Sequence, residues 1–408
     1  MNFKQTQLDN GLTVIAEIMP TSRSVALGFF VKTGARDESS GIAGVSHFLE
    51  HMMFKGTEKR SSLEVNLEFD EMGAKYNAFT SEENTVYYAA VLPEYQGRVL
   101  ELWADLLRPA LREDDFNTEK GVICEEIAMY QDQPQFDVID RCRRLHFAEH
   151  GCGNSVLGTV ESITAMKAGQ IREYFQQRYA PDNMVLACAG QVAWEGLVQQ
   201  VQKLCGGWQA SRAGRELSDF RGTGKTEAVR QDKILREHLC LMSAAPSAQD
   251  QKRYAAGVLA NIMGDDTNSR LYWALVDTAK ADAADMDYES MDGTGAFCTY
   301  VSCAAGAAGL VVEMVRGCMR QIQAEGVTEK ELQASKNKIA STATLNGEIP
   351  MGRLVPLGYN WQYRREYLGL AEELKALQAV SREDIMHLLE EYHPEDFTLL
   401  GLGPGEKI

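Results

Sequence analysis

The chain repeats itself. Tyr179-Ala180-Pro181-Asp182-Asn183-Met184-Val185-Leu186, followed by Gly190, returns as Tyr392-His393-Pro394-Glu395-Asp396-Phe397-Thr398-Leu399, followed by Gly403, at an offset of 213 residues. Just upstream, Ile163, Ala165, Met166, Ile171, Tyr174 and Phe175 match Leu377, Ala379, Val380, Ile385, Leu388 and Leu389 at an offset of 214. In both copies the apolar spacing is helical and a Pro then opens an extended apolar run, so each half ends in a helix, a turn and a strand. The offset of 213 also carries Ala43-Gly44-Val45 onto Ala256-Gly257-Val258. Such self-similarity predicts two related domains, placed at 1–205 and 231–408, with the polar, Gly-rich stretch 206–230 as their linker.

Within the first half, Leu12–Ala16, Val25–Val31 and Asn84–Val91 read as strands and Gly44–Phe54 as a helix. Several strands are joined too tightly for a crossover helix. The expected fold class is therefore α+β: two duplicated domains, each a largely antiparallel sheet with helices packed on it. No run approaches the roughly eighteen apolar residues that span a bilayer, which excludes a membrane-spanning chain. The count of 41 Lys+Arg against 58 Asp+Glu gives a net charge of −17, which repels phosphate backbones and argues against nucleic acid as a partner. The nine Cys are odd in number and form no CxxC pair, and most sit in apolar stretches such as Leu186-Ala187-Cys188-Ala189. They predict buried free thiols in a reducing compartment. The N-terminus lacks the apolar core of a secretory signal, so a cytoplasmic protein is expected.

The residues that carry chemistry begin with His47-Phe48-Leu49-Glu50-His51. Positions i and i+4 lie on one helix face, so both imidazoles can reach one metal ion, and Glu50 projects near that face without having to ligate. This is HExxH inverted, and two neutral imidazoles plus a carboxylate suit Zn²⁺ with a fourth position left for water. A nearby carboxylate can then take the water's proton as it attacks a carbonyl. The same pentapeptide pattern recurs at His146-Phe147-Ala148-Glu149-His150. That copy runs at once into Gly151-Cys152-Gly153 and follows Arg141, Arg143 and Arg144, so it reads as a helix C-terminus bearing cationic side chains. Glu227 lies at a tempting separation from His150, but in the polar linker. The first copy needs a third ligand, and Glu119, Glu125 and Glu126 lie on a helical stretch; on pattern alone they read as a solvated face.

Gly44-Val45-Ser46-His47-Phe48-Leu49-Glu50-His51-Met52-Met53-Phe54-Lys55-Gly56-Thr57 closely resembles the active-site helix of the pitrilysin/insulinase family of zinc peptidases. The match is best to its shorter branch, which includes the mitochondrial processing peptidases and their bacterial relatives. The family takes its third zinc ligand from a Glu about seventy-five residues after the second His, and the resemblance puts that role on Glu126. A supporting acid seven residues earlier falls on Glu119. Asn77-Ala78-Phe79-Thr80-Ser81 is similar to the family's strand beside the zinc, whose edge pairs with substrate backbone, which implies substrate binding at Asn77, Ala78 and Phe79; on pattern alone the segment is an ordinary turn and strand. Asn154-Ser155-Val156-Leu157-Gly158-Thr159 resembles a further signature.

The resemblance implies a zinc-dependent endopeptidase, one Zn²⁺ per chain, cleaving short or unfolded peptides with zinc-bound water activated by Glu50. The alternative is a non-catalytic member acting as a structural or partner-binding subunit. The presence of His47, Glu50, His51, Glu119 and Glu126 together favours catalysis. In the family the enclosed chamber has four related domains, so this chain would supply half of a clamshell and work as a homodimer, or as a heterodimer with a related subunit. Two departures stand out. The second half carries Ala260, Met263 and Gly264 where the repeat aligns His47, Glu50 and His51, so it is expected to hold no metal. Where active members commonly carry a substrate-binding Arg and Tyr, this chain has Val276 and Ala283; nearby Arg270 and Tyr288 have the wrong spacing.

Overall fold

The computed structural model describes residues 2–405. In chain order the first half holds β1 (Asn2–Gln7), β2 (Thr13–Ile18), β3 (Val25–Val31), α1 (Val45–Met53), α2 (Ser62–Glu71), β4 (Lys75–Thr80), β5 (Thr85–Val91), α3 (Gln96–Leu106), α4 (Glu113–Gln131), α5 (Pro134–Phe147), α6 (Val160–Ala165), α7 (Ala168–Arg178), β6 (Met184–Gly190) and α8 (Trp194–Cys205). The second half holds β7 (Thr226–Arg230), β8 (Arg236–Ala244), α9 (Arg253–Gly264), β9 (Ala281–Ser290), β10 (Gly295–Ala304), α10 (Ala308–Glu325), α11 (Glu329–Gly347), α12 (Pro350–Arg364), α13 (Leu370–Ala379), α14 (Arg382–Glu391) and β11 (Thr398–Gly403).

The fold is α+β, with one sheet in each half. The first sheet runs β1-β2-β6-β3-β5-β4 and the second β7-β11-β8-β10-β9. Without β1 the two orders coincide strand for strand. The β2–β6 pair and its counterpart β7–β11 are parallel, and every other pairing is antiparallel. Thr13 opens β2 and Thr226 opens β7, 213 residues on, so the sequence repeat is a repeat of strand register.

The chain divides into two compact units, but not by a single cut. One unit comprises the chain up to Ile127 with Asn154–Arg215 and Thr344–Leu370; the other comprises Ala128–Gly153, Glu216–Ala343 and the chain from Ala371 on. The halves thus exchange helices. In the first unit, α12 lies on β3 and β6, where Leu354 and Leu357 bury against Phe30, Val185 and Ala187. Its Arg353 forms a bidentate pair with Glu17 of β2 at 2.9 and 2.8 Å, and both side chains are buried. In the second unit, α5 covers β8 and β11, where Val138 and Cys142 meet Cys240, Met242, Leu400 and Leu402. Both exchanged helices open on a Pro, Pro134 and Pro350, whose missing N–H costs nothing in a first helical turn.

The exchange explains the burial pattern. β3 and β6 are buried at every residue because α12 covers one sheet face while α1, α3 and α7 build the main core on the other. Buried Leu27, Phe29 and Val31 of β3 point into that core with Trp103, whereas Ala26 and Phe30 point to α12. The expected linker is only partly irregular. Arg215 pairs with Asp37 in the first unit, at 3.0 and 2.6 Å, and Thr226–Arg230 pairs with β11 in the second. None of the nine Cys forms a disulfide; Cys124 and Cys318 are half-buried and the others buried. Among the described residues no helix is long and apolar enough to cross a membrane.

Candidate metal centre

The site is built on α1, and the helix is held hard at its start. Gly44 precedes it with φ +88°, a left-handed conformation that favours glycine, and a Cβ there would lie 2.6 Å from the Leu157 carbonyl oxygen. Gly158, at φ +71°, makes the reciprocal close approach to the Ala43 carbonyl. The loop 154–159 is therefore packed backbone to backbone against the entry to α1. The Glu38 carboxylate accepts from the Gly44 and Ser46 N–H groups at 2.6 and 2.8 Å, satisfying donors that a helix start leaves free. Burial pushes Glu38 up to about 8, against the pull of those two backbone bonds. On the core side α1 buries Val45, Phe48, Leu49, Met52 and Met53, and Phe48 stacks on Phe116 of α4 with centroids 4.9 Å apart. His47, Glu50 and His51 occupy the remaining face.

α4 brings the other half of the site. Glu119 and Glu126 are seven residues apart, two helical turns, and so share a face. Glu126 Oε2 lies 3.7 Å from His47 Nε2 and 3.5 Å from His51 Nε2. The donor atoms of His47, His51 and Glu126 all lie within 4.8 Å of one another, and among the described residues they are the one group of three that could hold a metal ion. Ligand atoms about 2.0–2.2 Å from a single tetrahedral ion stand roughly 3.3–3.6 Å apart, close to the two separations Glu126 makes with the imidazoles.

The surroundings fit it too. His47 is buried, which pushes its pKa down to about 3, helped by the neighbouring His51; it stays neutral with a lone pair to give. Glu119, 2% exposed, accepts a hydrogen bond from the His51 Nδ1–H at 2.8 Å, which leaves His51 Nε2 facing Glu126. An imidazole held on its far nitrogen by a carboxylate is the usual arrangement of a metal-bound His. Lys55 Nζ sits 2.5 Å from the other Glu119 oxygen. Burial alone would raise Glu119, but the His51 and Lys55 bonds outweigh it and hold the carboxyl below its ordinary range. For His51, burial is likewise outweighed by the Glu119 hydrogen bond and the Glu126, Glu119 and Glu50 charges, so its pKa rises.

Glu50 stands beside this triad and outside it. Its Oε2 accepts the Thr80 hydroxyl at 2.6 Å, while burial raises its pKa above the usual carboxylate range. Thr80 ends β4, the outermost strand, which pairs with β5 on one side only. Asn77 is exposed there, Ala78 buried and Phe79 half-buried, and the Ala78 N–H is met by the Asn77 side chain at 2.9 Å. The part Thr80 plays is not legible from its motif. Strand alternation is the signal that finds it: Thr80 shares the Ala78 face, toward α1.

The second pentapeptide is not brought together. α5 ends at Phe147, and Ala148 turns away at φ +47°. His146 is fully buried with Nδ1 3.2 Å from the Thr398 hydroxyl, and burial, with Arg143 beside it, pushes its pKa down to about 4. His150 accepts from the Cys152 N–H at 3.3 Å, Glu149 is exposed, and Glu227 lies exposed on β7. In the second unit Val276 ends a short π-helical turn and Ala283 lies on β9. Arg270 is engaged by Glu331 at 2.8 Å and Tyr288 by the Pro246 carbonyl at 2.8 Å.

A duplicated α+β fold whose first unit brings His47 and His51 of an HxxEH helix to Glu126 of α4, the one such group among the described residues, defines a protein with a candidate metal site. The profile of "Insulinase (Peptidase family M16)" matches residues 13–160, and that of "Peptidase M16 inactive domain" matches residues 165–339. The chain is 31% identical over 406 residues to a Bacillus subtilis protein described as an uncharacterized zinc protease, covering 98% of each chain. A Mycobacterium tuberculosis protein of the same description is 29% identical over 410 residues, covering 98% of this chain and 93% of the relative. The fold matches the crystal structure of a Helicobacter pylori protease with a TM-score of 0.90 at 21% identity, covering 98% of this chain and 99% of that one. It matches a Pseudomonas fluorescens structure described as a peptidase M16 inactive domain with a TM-score of 0.91 at 15% identity, covering 100% and 99%. The chain belongs to the insulinase family, peptidase family M16, and is of its short, two-domain form.

Proposed function

We propose that the chain is a zinc-dependent endopeptidase acting on short or unfolded peptides. The observation that carries the reading is Glu50: a carboxylate beside a complete ligand triad, oriented by a hydroxyl and not needed as a ligand. His47, His51 and Glu126 would hold one Zn²⁺ per chain, with Glu119 fixing the His51 ring. Zinc, when bound there, would polarise the scissile carbonyl and acidify a water molecule. Glu50 takes the proton of the attacking water and passes it to the leaving amine as the C–N bond breaks. Burial raises its pKa, the direction that strengthens it as a proton acceptor.

The peptide adds to the open edge of β4 at Asn77, Ala78 and Phe79. Backbone hydrogen bonds then give affinity with little sequence demand. Residues 1–205 act as the zinc-bearing domain and 231–408 as its metal-free counterpart. A single chain supplies two of four chamber domains, so we infer a homodimer in the cytoplasm. The replacement of the Arg–Tyr pair by Val276 and Ala283 favours altered peptide preference, or a heterodimer in which a related subunit brings the pair. The test is Glu50→Gln, which keeps size but cannot accept the proton. It should retain zinc while hydrolysis of a peptide library falls by roughly 10² or more. An active Glu50→Gln protein overturns the mechanism, and a wild-type protein that binds zinc and cleaves nothing supports the non-catalytic subunit. Light scattering with activity across a dilution series tests the dimer; a monomer fully active at every dilution refutes it.

A further inference from the structure

Among the described residues, the Thr80 hydroxyl makes the one hydrogen bond of the Glu50 carboxylate. Thr80 is the last residue of β4, and alternation sets Tyr76, Ala78 and Thr80 on the face toward α1, while Phe79 packs on the opposite face with the α12 cluster. The strand that offers its edge to a peptide is thus also the strand that touches the base.

Thr80 is itself held from behind. It pairs with Thr85 across a tight turn closed by Ser81 N–H to the Asn84 carbonyl at 2.8 Å. That turn is pinned to the 34–36 segment by Arg36 N–H to the Glu82 carbonyl at 2.7 Å, and a Cβ on Gly34 would lie 2.3 Å from the Ser81 carbonyl oxygen. Glu83 pairs with buried Arg36 at 2.7 Å and accepts the Tyr363 hydroxyl at 2.9 Å, while the Asn84 amide donates to Tyr363 at 2.7 Å. A turn anchored on three sides leaves Thr80 little freedom to move.

We propose that Thr80 is a positioning residue that locks Glu50 into the register of a peptide paired to β4, so that one strand aligns both the base and the scissile bond. The proposal rests on Glu50 acting as the base and adds what orients it. Without the hydroxyl, Glu50 keeps its place on α1 but loses the contact that selects its rotamer. A misplacement of about 1 Å at a reacting group is worth up to roughly 100-fold in rate.

The experiment measures kcat and KM on an unstructured peptide, together with zinc content and melting temperature, for Thr80→Val, Thr80→Ser and Glu50→Gln. Thr80→Val preserves shape, and should lose about 10- to 100-fold in kcat with KM within about twofold and zinc at wild-type level. Thr80→Ser restores the hydroxyl and should recover most of the rate, which a merely structural role for the threonine methyl would not predict. A Thr80→Val kcat within about threefold of wild type, or Thr80→Ser as slow as Thr80→Val, overturns the proposal. Should Thr80→Val fail to fold, Thr80→Ala read against Thr80→Ser decides by the same criteria. An active Glu50→Gln protein instead overturns the underlying assignment of the base, so the two failures are told apart.

Discussion

Glu119 touches no donor of the metal triad except through His51, and its substitution therefore measures how much orientation matters. Its carboxylate, 2% exposed, spans His51 Nδ1 at 2.8 Å and Lys55 Nζ at 2.5 Å, so both oxygens are engaged. Glu119→Gln keeps the volume and can offer its amide oxygen to the His51 N–H, but the bond is no longer charge-assisted. Outer carboxylates of this kind are worth about 10- to 100-fold in metal affinity, or about 1.4–2.7 kcal/mol. Lost ligands cost far more, since a two-donor site holds zinc much more weakly than a three-donor one. The expected order of zinc affinity is wild type, then Glu119→Gln, then Glu126→Ala, with the last gap the largest. The assay is competition against a chromogenic chelator at fixed pH, with circular dichroism to show that each variant is folded. A Glu119→Gln affinity within about threefold of wild type would show that packing alone aims the His51 ring. An affinity as poor as that of Glu126→Ala would make Glu119 a ligand in its own right.

Removal of the triad is specific. His51→Ala should lose zinc and peptidase activity together, while His150→Ala should leave both unchanged; metal analysis with a peptide assay checks this, and zinc loss in His150→Ala would refute the choice of site. Arg353→Met strands the buried Glu17 carboxylate and should destabilise the first unit by about 3–5 kcal/mol, whereas Arg353→Met with Glu17→Met should recover most of the loss. Urea unfolding followed by tryptophan fluorescence reports it, because Trp103, Trp194, Trp208 and Trp361 lie in that unit; a single-variant cost below about 1 kcal/mol would refute it. His146, held near 4 against an ordinary value of 6.5, refuses a proton that the unfolded chain accepts between those pH values. Stability therefore falls as pH drops through that window, and His146→Gln should flatten the slope relative to wild type; equal slopes in denaturant titrations from pH 7 to pH 4 would contradict it.

Much of this molecule was legible in its sequence, and the remainder was not for physical reasons. The repeat at 213 residues foretold two sheets of one topology because strand register is written in local apolar alternation. Val25–Val31 is a strand over those same residues, and the helix expected at Gly44–Phe54 spans Val45–Met53. The helix exchange was hidden. Leu354 and Leu357 of α12 announce an apolar face, as do Val138 and Cys142 of α5, but periodicity says only that a face must be covered and never by which sheet. β7 was hidden for another reason: Thr226-Glu227-Ala228-Val229-Arg230 is almost wholly exposed, so backbone bonding to β11 holds it and no apolar pattern betrays it. The pairing of His47 and His51 on one face of α1 was visible as an i, i+4 spacing. The bond from Thr80 to Glu50 joins residues thirty apart in sequence, and only the α1–β4 packing brings them together.

Packing of the same kind bears on why one copy of the fold brings His47, His51 and Glu126 together while the other has no such group among its described residues. The offset of 213 sets Ala260, Met263 and Gly264 of α9 opposite His47, Glu50 and His51 of α1. In the second unit α9 presses directly on β9: a Cβ added to Gly264 would lie 2.1 Å from the Met286 backbone nitrogen and 2.4 Å from its Cβ. Real atoms do not approach so closely, and the obstacle is strand backbone, which cannot step aside as a flexible side chain can. Met263 is fully buried in the apolar core cluster of that unit, where a carboxylate would be costly to desolvate. On α1 the contrary holds, since Glu50 and His51 are half-buried, Glu50 reaching Thr80 of β4 and His51 reaching Glu119 of α4. The close approach of α9 to β9 thus leaves room only for glycine at position 264, whereas α1 stands far enough from β4 for Glu50 to reach Thr80 through its side chain.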